Sequence, residues 1–228
     1  MSVSTAPLAP APAGYDVVLR HGSTVRVRPV AREDAALLHG FLVGLSDDGR
    51  LTRFGTLAND LESEARRWAD VDGRDRYGLV ALAGPARRPV AHAAYVRTGP
   101  ARAEVGFAVA DDHRGLGLAT LLLAGLAEVA RPNGIRSFEA YVLRRNGPMA
   151  EVLRDSGFAA GARHEEDFDR WELATDLTAE VLERYDLREA SAAEAALRPV
   201  LSPRSVAVVG ASRTRGTIGS NACSARRH

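Results

Sequence analysis

At residues 114–120 the chain reads Arg-Gly-Leu-Gly-Leu-Ala-Thr. Before this segment, alternating apolar residues at 103–109 predict a strand, and after it Leu118–Ala130 is uniformly helix-forming. This order of strand, glycine-rich turn and helix places free backbone N–H groups at the N-terminus of the helix. The positive end of the helix dipole lies at the same point. The two glycines would let a ligand approach the backbone, and the arginine can add a cationic donor. The segment therefore predicts either a phosphate-binding loop or a plain tight turn between a strand and a helix.

The surrounding sequence predicts a sheet with helices packed on it. Alternation of apolar and polar residues marks strands, and apolar residues at three- and four-residue steps mark helices. A Ser-Asp-Asp-Gly turn at 46–49 is predicted to end the first helix, and a Gly-Pro turn joins two strands in an antiparallel hairpin. The predicted strands are 24–29, 77–82, 89–96, 103–109 and 137–142, with further strands in 163–173, and the predicted helices are 35–45, 62–68, 118–130 and 148–155.

Composition narrows the possible functions. The 228 residues suit one domain with appendages, and 30 basic against 29 acidic residues give a net charge of +1, which offers no electrostatic case for nucleic acid binding. Cys223 is the single cysteine, so no disulfide can form within the chain and a local zinc site is disfavoured. No apolar run approaches the roughly 18 residues of a membrane span, and residues 1–14 lack the pattern of a signal peptide. We expect a cytoplasmic protein whose residues 1–23 are a disordered Ala/Pro-rich lead and the entry to the first strand.

Two motifs together resemble one enzyme family. Arg114-x-x-Gly117-x-Ala119 matches the Arg/Gln-x-x-Gly-x-Gly/Ala signature of the GNAT acyltransferases, and the segment from Asn146 to Phe158 is similar to that family's Asn-x-x-Ala-x-x-Leu-Tyr-x-x-x-Gly-Phe helix. The resemblance covers residues 24–177. It implies an α/β (α+β) fold with a central mixed, mostly antiparallel twisted sheet flanked by helices. Two parallel strands of that sheet would splay apart where acyl-CoA binds.

The resemblance also implies a cosubstrate and the residues that hold it. Acetyl-CoA would be the cosubstrate, no metal would be needed, and pantetheine would enter between the strands at 103–109 and 137–142. The predicted cofactor-binding residues are Phe107, Ala108 and Val109 along the acyl arm, Arg114, Gly115, Leu116, Gly117, Leu118, Ala119 and Thr120 in the loop, and Asn146 downstream.

Glu104 is the predicted catalytic residue. Direct attack by an amine requires its neutral form, whereas a lysine with a pKa near about 10.4 is almost fully protonated at pH 7, so a general base is needed. Alternation along the strand puts Glu104 on the same face as Gly106 and Ala108, where a carboxylate among small residues could serve as that base. The alternative is a solvated glutamate at the end of a strand.

The sequence does not identify the general acid. Leu153 stands where many relatives carry the tyrosine that protonates the leaving thiolate, so water, the acidity of the thiol itself, or Tyr141 would have to serve. Arg50 and Arg53 fall where the family's acceptor-side loop should lie, and they could recognise substrate or form surface salt bridges. His113 could contact phosphate, but we expect it to be a solvated loop residue, and we expect His164 to belong to a solvated acidic turn and not to a metal site.

The whole arrangement is similar to the Pat-type actinobacterial protein lysine acetyltransferases. In these, a GNAT domain is fused to a domain like the CoA-binding part of NDP-forming acyl-CoA synthetases. Here a helical linker is predicted at 178–200. Residues 201–228 carry the first strand and turn of a Rossmann-like domain but not the apolar helix expected next, which predicts a truncated second domain. The resemblance implies acetyl transfer to protein lysine, with an AMP-forming acyl-CoA synthetase as the protein substrate and Glu104 as base. The alternatives are a small amine or a protein N-terminus as acceptor, or a non-catalytic acyl-CoA sensor.

Overall fold

The structure is a computed structural model and describes residues 14–55, 60–158, 160–179, 181 and 183. The strands are β1 (Tyr15–Val18), β2 (Thr24–Pro29), β3 (Arg76–Ala83), β4 (Arg88–Gly99), β5 (Arg102–Val109), β6 (Ser137–Leu143), β7 (Ala160–His164) and β8 (Phe168–Ala174), and the helices are α1 (Ala35–Val43), α2 (Asp47–Phe54), α3 (Leu61–Ala69), α4 (Leu118–Ala130) and α5 (Gly147–Asp155). The strands pair in the order β1-β2-β3-β4-β5-β6-β8-β7, and every neighbouring pair is antiparallel except β5 with β6. This is the mixed, mostly antiparallel sheet flanked by helices that the sequence implied, and the prediction is confirmed.

The parallel strands β5 and β6 separate soon after they meet. They pair only where residues 102–104 face residues 137–139, and the last matched residues are Glu104 and Glu139. Beyond this point β5 stays paired with β4 as far as Val109, and β6 stays paired with β8 as far as Leu143. A wedge therefore opens between the two strands, with Glu104 at its apex, and we call it the β5–β6 wedge.

Helices cover the sheet in two layers. On one face α4 packs against β3, β4 and β5, and Leu122 and Leu126 of this helix are completely buried. Gly125 permits the close approach, because a Cβ there would lie 2.9 Å from Cδ1 of Leu79 on β3. The other face carries α1, α2 and α3, with Trp68 of α3 stacked on the sheet. The β5–β6 wedge opens beside these helices.

Two elements differ from the sequence prediction. The Ser-Asp-Asp-Gly segment at 46–49 is the start of α2 and not a turn: the Ser46 hydroxyl accepts a hydrogen bond from the Gly49 N–H at 3.0 Å. Serine and aspartate favour both turns and helix N-termini, so the sequence alone could not separate the two. In addition, the sheet begins at Tyr15–Val18, one strand earlier than predicted, within the residues 1–23 that were assigned to a lead and the entry to the first strand. That strand is only four residues long, too short for its alternation to stand out.

Residues 1–13 of the predicted lead, the predicted linker beyond residue 183 and the predicted domain remnant at 201–228 lie outside the described residues. Within the described ranges, the helices are all too short or too polar to traverse a lipid bilayer.

A partly buried carboxyl group on α4 makes stability depend on pH. Burial raises the pKa of Glu128 to about 7, and its Oε2 has no hydrogen-bond partner among the described residues. An unfolded glutamate has a pKa near about 4.3, so the stability linked to this group is complete below that pH and is lost as the pH rises through the folded value. Glu128→Gln should therefore raise the melting temperature at pH 8 relative to wild type more than it does at pH 5. Since the side chain is partly exposed, we expect a difference of about 1 kcal/mol, or roughly 2–4 °C, in thermal melts.

Glu172→Gln, at an exposed position on β8, is the control for this experiment and should behave alike at both pH values. An equal shift of Glu128→Gln at pH 5 and pH 8 would contradict the assignment.

Candidate functional site

A cleft of about 1380 Å³ follows the β5–β6 wedge from the 114–120 loop to α3. It brings together nearly all of the residues that the sequence predicted for the site. Those that line it are Glu104, Phe107, Ala108, Val109, Arg114, Gly115, Gly117, Leu118, Ala119, Thr120 and Asn146. Leu116 instead packs against the hydrophobic core.

The 114–120 loop has the backbone geometry of an anion site. Gly115 and Gly117 have φ angles of 72° and 89°, in the left-handed region that glycine adopts most easily, and Gly117 is the N-cap of α4. The first intrahelical hydrogen bond of α4 runs from the Leu121 N–H to the Gly117 carbonyl at 3.1 Å. The N–H groups of residues 118–120 therefore have no acceptor within the helix. They lie at the N-terminus of α4, where the helix dipole is positive and where the helix meets the cleft. A phosphate group fits this arrangement of donors.

Arg114 links the loop to the start of α2. Its guanidinium forms salt bridges with Asp48 at 3.0 Å and with Asp111 at 2.8 Å, and Asp111 also accepts a hydrogen bond from the Ser46 hydroxyl at 3.1 Å. The arginine thus stands at the cleft with part of its charge compensated by two carboxylates. Contact between Arg114 and a phosphate stays a prediction.

Asn146 begins the helix on the opposite wall of the cleft. Its side-chain oxygen accepts a hydrogen bond from the Met149 N–H at 3.2 Å, which caps α5. Helix capping is therefore one reason for an asparagine at this position. Asn146 also lines the cleft.

Glu104 is exposed at the apex of the wedge, while Ala103 and Val105 on either side of it are buried. The alternation predicted for this strand is therefore confirmed. The facing residue on β6, Glu139, is buried and forms salt bridges with Arg102 at 3.3 Å and with Arg170. Glu104 forms no salt bridge among the described residues. Of the two carboxylates at the apex, Glu104 is the one accessible from the cleft.

A stack of rings and a guanidinium next to Glu104 was not predicted. The rings of Trp68 and His92 are parallel within 8° at a centroid distance of 4.1 Å, and Cζ of Arg53 lies 5.2 Å from the Trp68 ring centre. Burial and the charge of Arg53 lower the pKa of His92 to about 3, so this histidine is neutral at pH 7. The sequence placed Arg53 in a loop, whereas it lies in the last turn of α2. No sequence pattern predicts the stack of Trp68 on His92, since the two residues lie on separate elements.

The other candidates also have defined places. Leu153 is completely buried, so the position of the family's tyrosine lies in the core, while Tyr141 is 47% exposed, lines the cleft and packs edge-on against Phe168. Arg50 forms a salt bridge with Asp47 outside the cleft. The expectation of a solvated His113 was wrong: its side chain is only 14% exposed, lines the cleft and is paired with Asp112 at 2.7 Å. His164 is exposed, as expected, and is paired with Asp169 at 2.7 Å.

Comparison with known proteins places this cleft among acetyltransferases. Residues 24–159 match the family model described as acetyltransferase (GNAT) domain. The chain is 29% identical to the acetyltransferase Pat of Mycolicibacterium smegmatis over 139 residues, which are 60% of this chain and 42% of Pat. It is 30% identical to the acetyltransferase PA5475 of Pseudomonas aeruginosa over 155 residues, or 65% of this chain and 82% of that protein.

Among solved structures, the GNAT domain of the PAT protein of S. lividans is similar, with a TM-score of 0.65 and 36% identity. The match covers 72% of this chain and 98% of that domain. The chain spans less than half the length of the full Pat protein of M. smegmatis.

Proposed function

The chain belongs to the GNAT family of N-acetyltransferases, and from this premise we propose that it transfers an acetyl group from acetyl-CoA to a lysine amine of another protein. The observation that carries the proposal is the position of Glu104. It stands at the apex of the β5–β6 wedge, between the anion-binding loop at one end of the cleft and the open space beside α3 at the other.

In this proposal the cleft holds acetyl-CoA along its length. The free N–H groups of residues 118–120 bind the pyrophosphate, with Gly115 and Gly117 giving it room to approach. The pantetheine arm lies in the wedge and pairs with the edge of β5 at Phe107, Ala108 and Val109, where β6 has moved away. The acetyl thioester then lies near the apex of the wedge.

The chemical step requires a base at the apex. The carboxylate of Glu104, directly or through one water, first passes one proton of the acceptor ammonium to solvent. It then takes the second proton from the amine as the nitrogen lone pair attacks the thioester carbon. The C–N bond forms while the carbonyl electrons move to oxygen. The tetrahedral intermediate then collapses and expels the CoA thiolate, which takes up a proton. Tyr141 is the hydroxyl of the cleft that we propose as its donor.

The acceptor is proposed to be a protein lysine on two grounds. The chain is similar to Pat proteins over its GNAT domain, and the acceptor end of the cleft presents the carboxylates of Asp60 and Glu104, whereas Glu64 is paired with Arg67 at 3.2 Å. Negative side chains at the mouth of a cleft attract a cationic side chain such as lysine. An AMP-forming acyl-CoA synthetase is the protein substrate that the resemblance suggests.

The test is to incubate the purified chain with acetyl-CoA and an AMP-forming acyl-CoA synthetase and to map acetylated lysines by mass spectrometry. We expect acetylation of one or a few lysines of the synthetase at a rate well above that of a mixture without the chain. Parallel reactions with polyamines and with N-terminal peptides identify the acceptor class. Transfer to polyamines but not to protein would contradict the lysine assignment, and cofactor binding without any transfer would favour the sensor.

A further inference from the structure

The guanidinium of Arg53 lies directly over Gly106 on β5. A Cβ built on Gly106 would come within 2.7 Å of Nη2, 2.8 Å of Cζ and 2.9 Å of Nη1 of this arginine. On its other side the guanidinium lies 5.2 Å from the ring centre of Trp68 and 5.5 Å from that of Phe54. The arginine is therefore held between a glycine on the strand and two aromatic rings on the helices, in the wall of the cleft.

This cation has unused donors. Among the described residues Arg53 forms no salt bridge, and its buried Nε has no hydrogen-bond partner. Burial lowers the pKa of Arg53, and the nearby carboxylates of Glu104 and Glu64 oppose that change. Arginine nevertheless stays protonated at neutral pH. A buried donor without a partner costs about 1–3 kcal/mol, so such a group calls for an acceptor that the described residues do not supply.

The proposed function places that acceptor. If Glu104 deprotonates the amine and pantetheine pairs along residues 107–109, the thioester carbon must lie between them along β5. Residues of a strand are spaced by about 3.3 Å. The position between Glu104 and Phe107 on the Glu104 face of the strand is Gly106, which is where the guanidinium of Arg53 lies.

We propose that Arg53 is a further catalytic residue, which donates hydrogen bonds to the thioester oxygen as that oxygen becomes negatively charged. The proposal rests on the function proposed above. When the amine nitrogen bonds to the carbonyl carbon, the π electrons move to oxygen and the amine proton moves to Glu104. The oxyanion then returns its electrons to re-form C=O as the C–S bond breaks and the thiolate leaves.

Charge at the apex is conserved through this step. Before attack, Arg53 faces an ionised Glu104 and a neutral thioester. After attack, Glu104 carries the proton and is neutral, and the negative charge has moved to the thioester oxygen. One fixed cation thus serves both anions in turn, and the protein need not reorganise as the charge moves, which is the condition for strong electrostatic catalysis.

The test compares the wild type with Arg53→Met and Arg53→Lys in steady-state acetyl transfer from acetyl-CoA over pH 7–10. Methionine keeps an apolar stem against Trp68 but has no donor. We expect kcat to fall by about 10²-fold in Arg53→Met and by less in Arg53→Lys, with the Kd for CoA changed by less than about threefold. The loss of an oxyanion donor persists at every pH, so a rate that recovers as the pH rises would mean that Arg53 does not act as that donor.

Two controls separate this role from a structural one. Arg50→Met, on the same helix but outside the cleft, should match wild type. Gly106→Ala should lower kcat in the wild-type background by displacing the guanidinium, but should change Arg53→Met little, because methionine lacks the atoms that clash. Thermal melts and circular dichroism report whether each variant is folded.

Several results would overturn the proposal: Arg53→Met within threefold of wild type, activity of that variant restored at pH 9–10, or additive effects of Gly106→Ala and Arg53→Met. A wild-type chain that binds CoA but acetylates no amine would remove the proposed function, and this inference with it. A wild type that transfers acetyl normally beside an unimpaired Arg53→Met would remove the inference alone.

Discussion

A Glu104→Gln variant is expected to transfer acetyl groups about 10²–10⁴-fold more slowly than the wild type at pH 7, the range that positioned general bases contribute. Glutamine keeps the size of the side chain and its place at the apex of the β5–β6 wedge, but its amide cannot accept the ammonium proton. Because Glu104 is exposed and forms no salt bridge among the described residues, the change should leave the fold intact. The measurement is kcat with acetyl-CoA and the identified acceptor, together with the Kd of CoA by calorimetry, which should not change.

The pH dependence of this variant adds a second readout. As the pH approaches the pKa of the acceptor amine, near about 10.4 for lysine, the neutral amine becomes abundant and needs no base. The deficit of Glu104→Gln should therefore shrink with rising pH. Glu151→Gln is the matched control, because Glu151 also lines the cleft but lies on α5 and away from the apex. Full activity of Glu104→Gln, or an equal loss in Glu151→Gln, would show that Glu104 is not the base.

The parts of the fold that local patterns encode could be predicted from the sequence. Thr24–Pro29 and Leu118–Ala130 have the predicted bounds, because the first alternates with a period of two and the second is uniformly helix-forming, and clear breakers limit both. The start of α2 was predicted wrongly because the same polar residues at 46–49 suit a turn and an N-cap. The strand Tyr15–Val18 owes its place to pairing with β2, a tertiary interaction that its own four residues do not encode.

The site divides in the same way. The 114–120 loop and the Asn146 cap are each contained in one short segment of sequence. Their positions in the cleft could therefore be predicted from the order of strand, loop and helix. The contact of Arg53 with Gly106 and the stack of Trp68 on His92 join four separate elements. Such contacts depend on how α2 and α3 pack on the sheet, and no spacing within one segment reports them. A basic residue in a short polar helix looks like a solvated one until the packing is known.

A Gly117→Ala variant is expected to weaken acetyl-CoA binding by at least about tenfold. The reason is that several backbone N–H groups of the loop bind the phosphate together, and these contacts are lost when the N–H groups no longer point at the phosphate. Gly117 has a φ of 89° at the N-cap of α4. A side chain in that conformation costs about 1–2 kcal/mol, and the loop can relieve the strain only by rotating its peptide groups. The measurement is the Kd of CoA by calorimetry, with the melting temperature of the free protein recorded beside it.

Gly134→Ala separates strain from binding. Gly134 has a φ of 82° just beyond the far end of α4, and a Cβ there would contact nothing within 4 Å, while a Cβ at Gly117 would meet only Nε of Arg20 at 3.9 Å. Both substitutions impose the same kind of backbone strain, so each should lower the melting temperature by roughly 2–4 °C for about 1 kcal/mol. Only Gly117→Ala should change the affinity for CoA, because only Gly117 lies where the free N–H groups of residues 118–120 meet the cleft. Equal affinities in the two variants would mean that the pyrophosphate is held elsewhere, by side chains such as Arg114, and that the helix N-terminus contributes little.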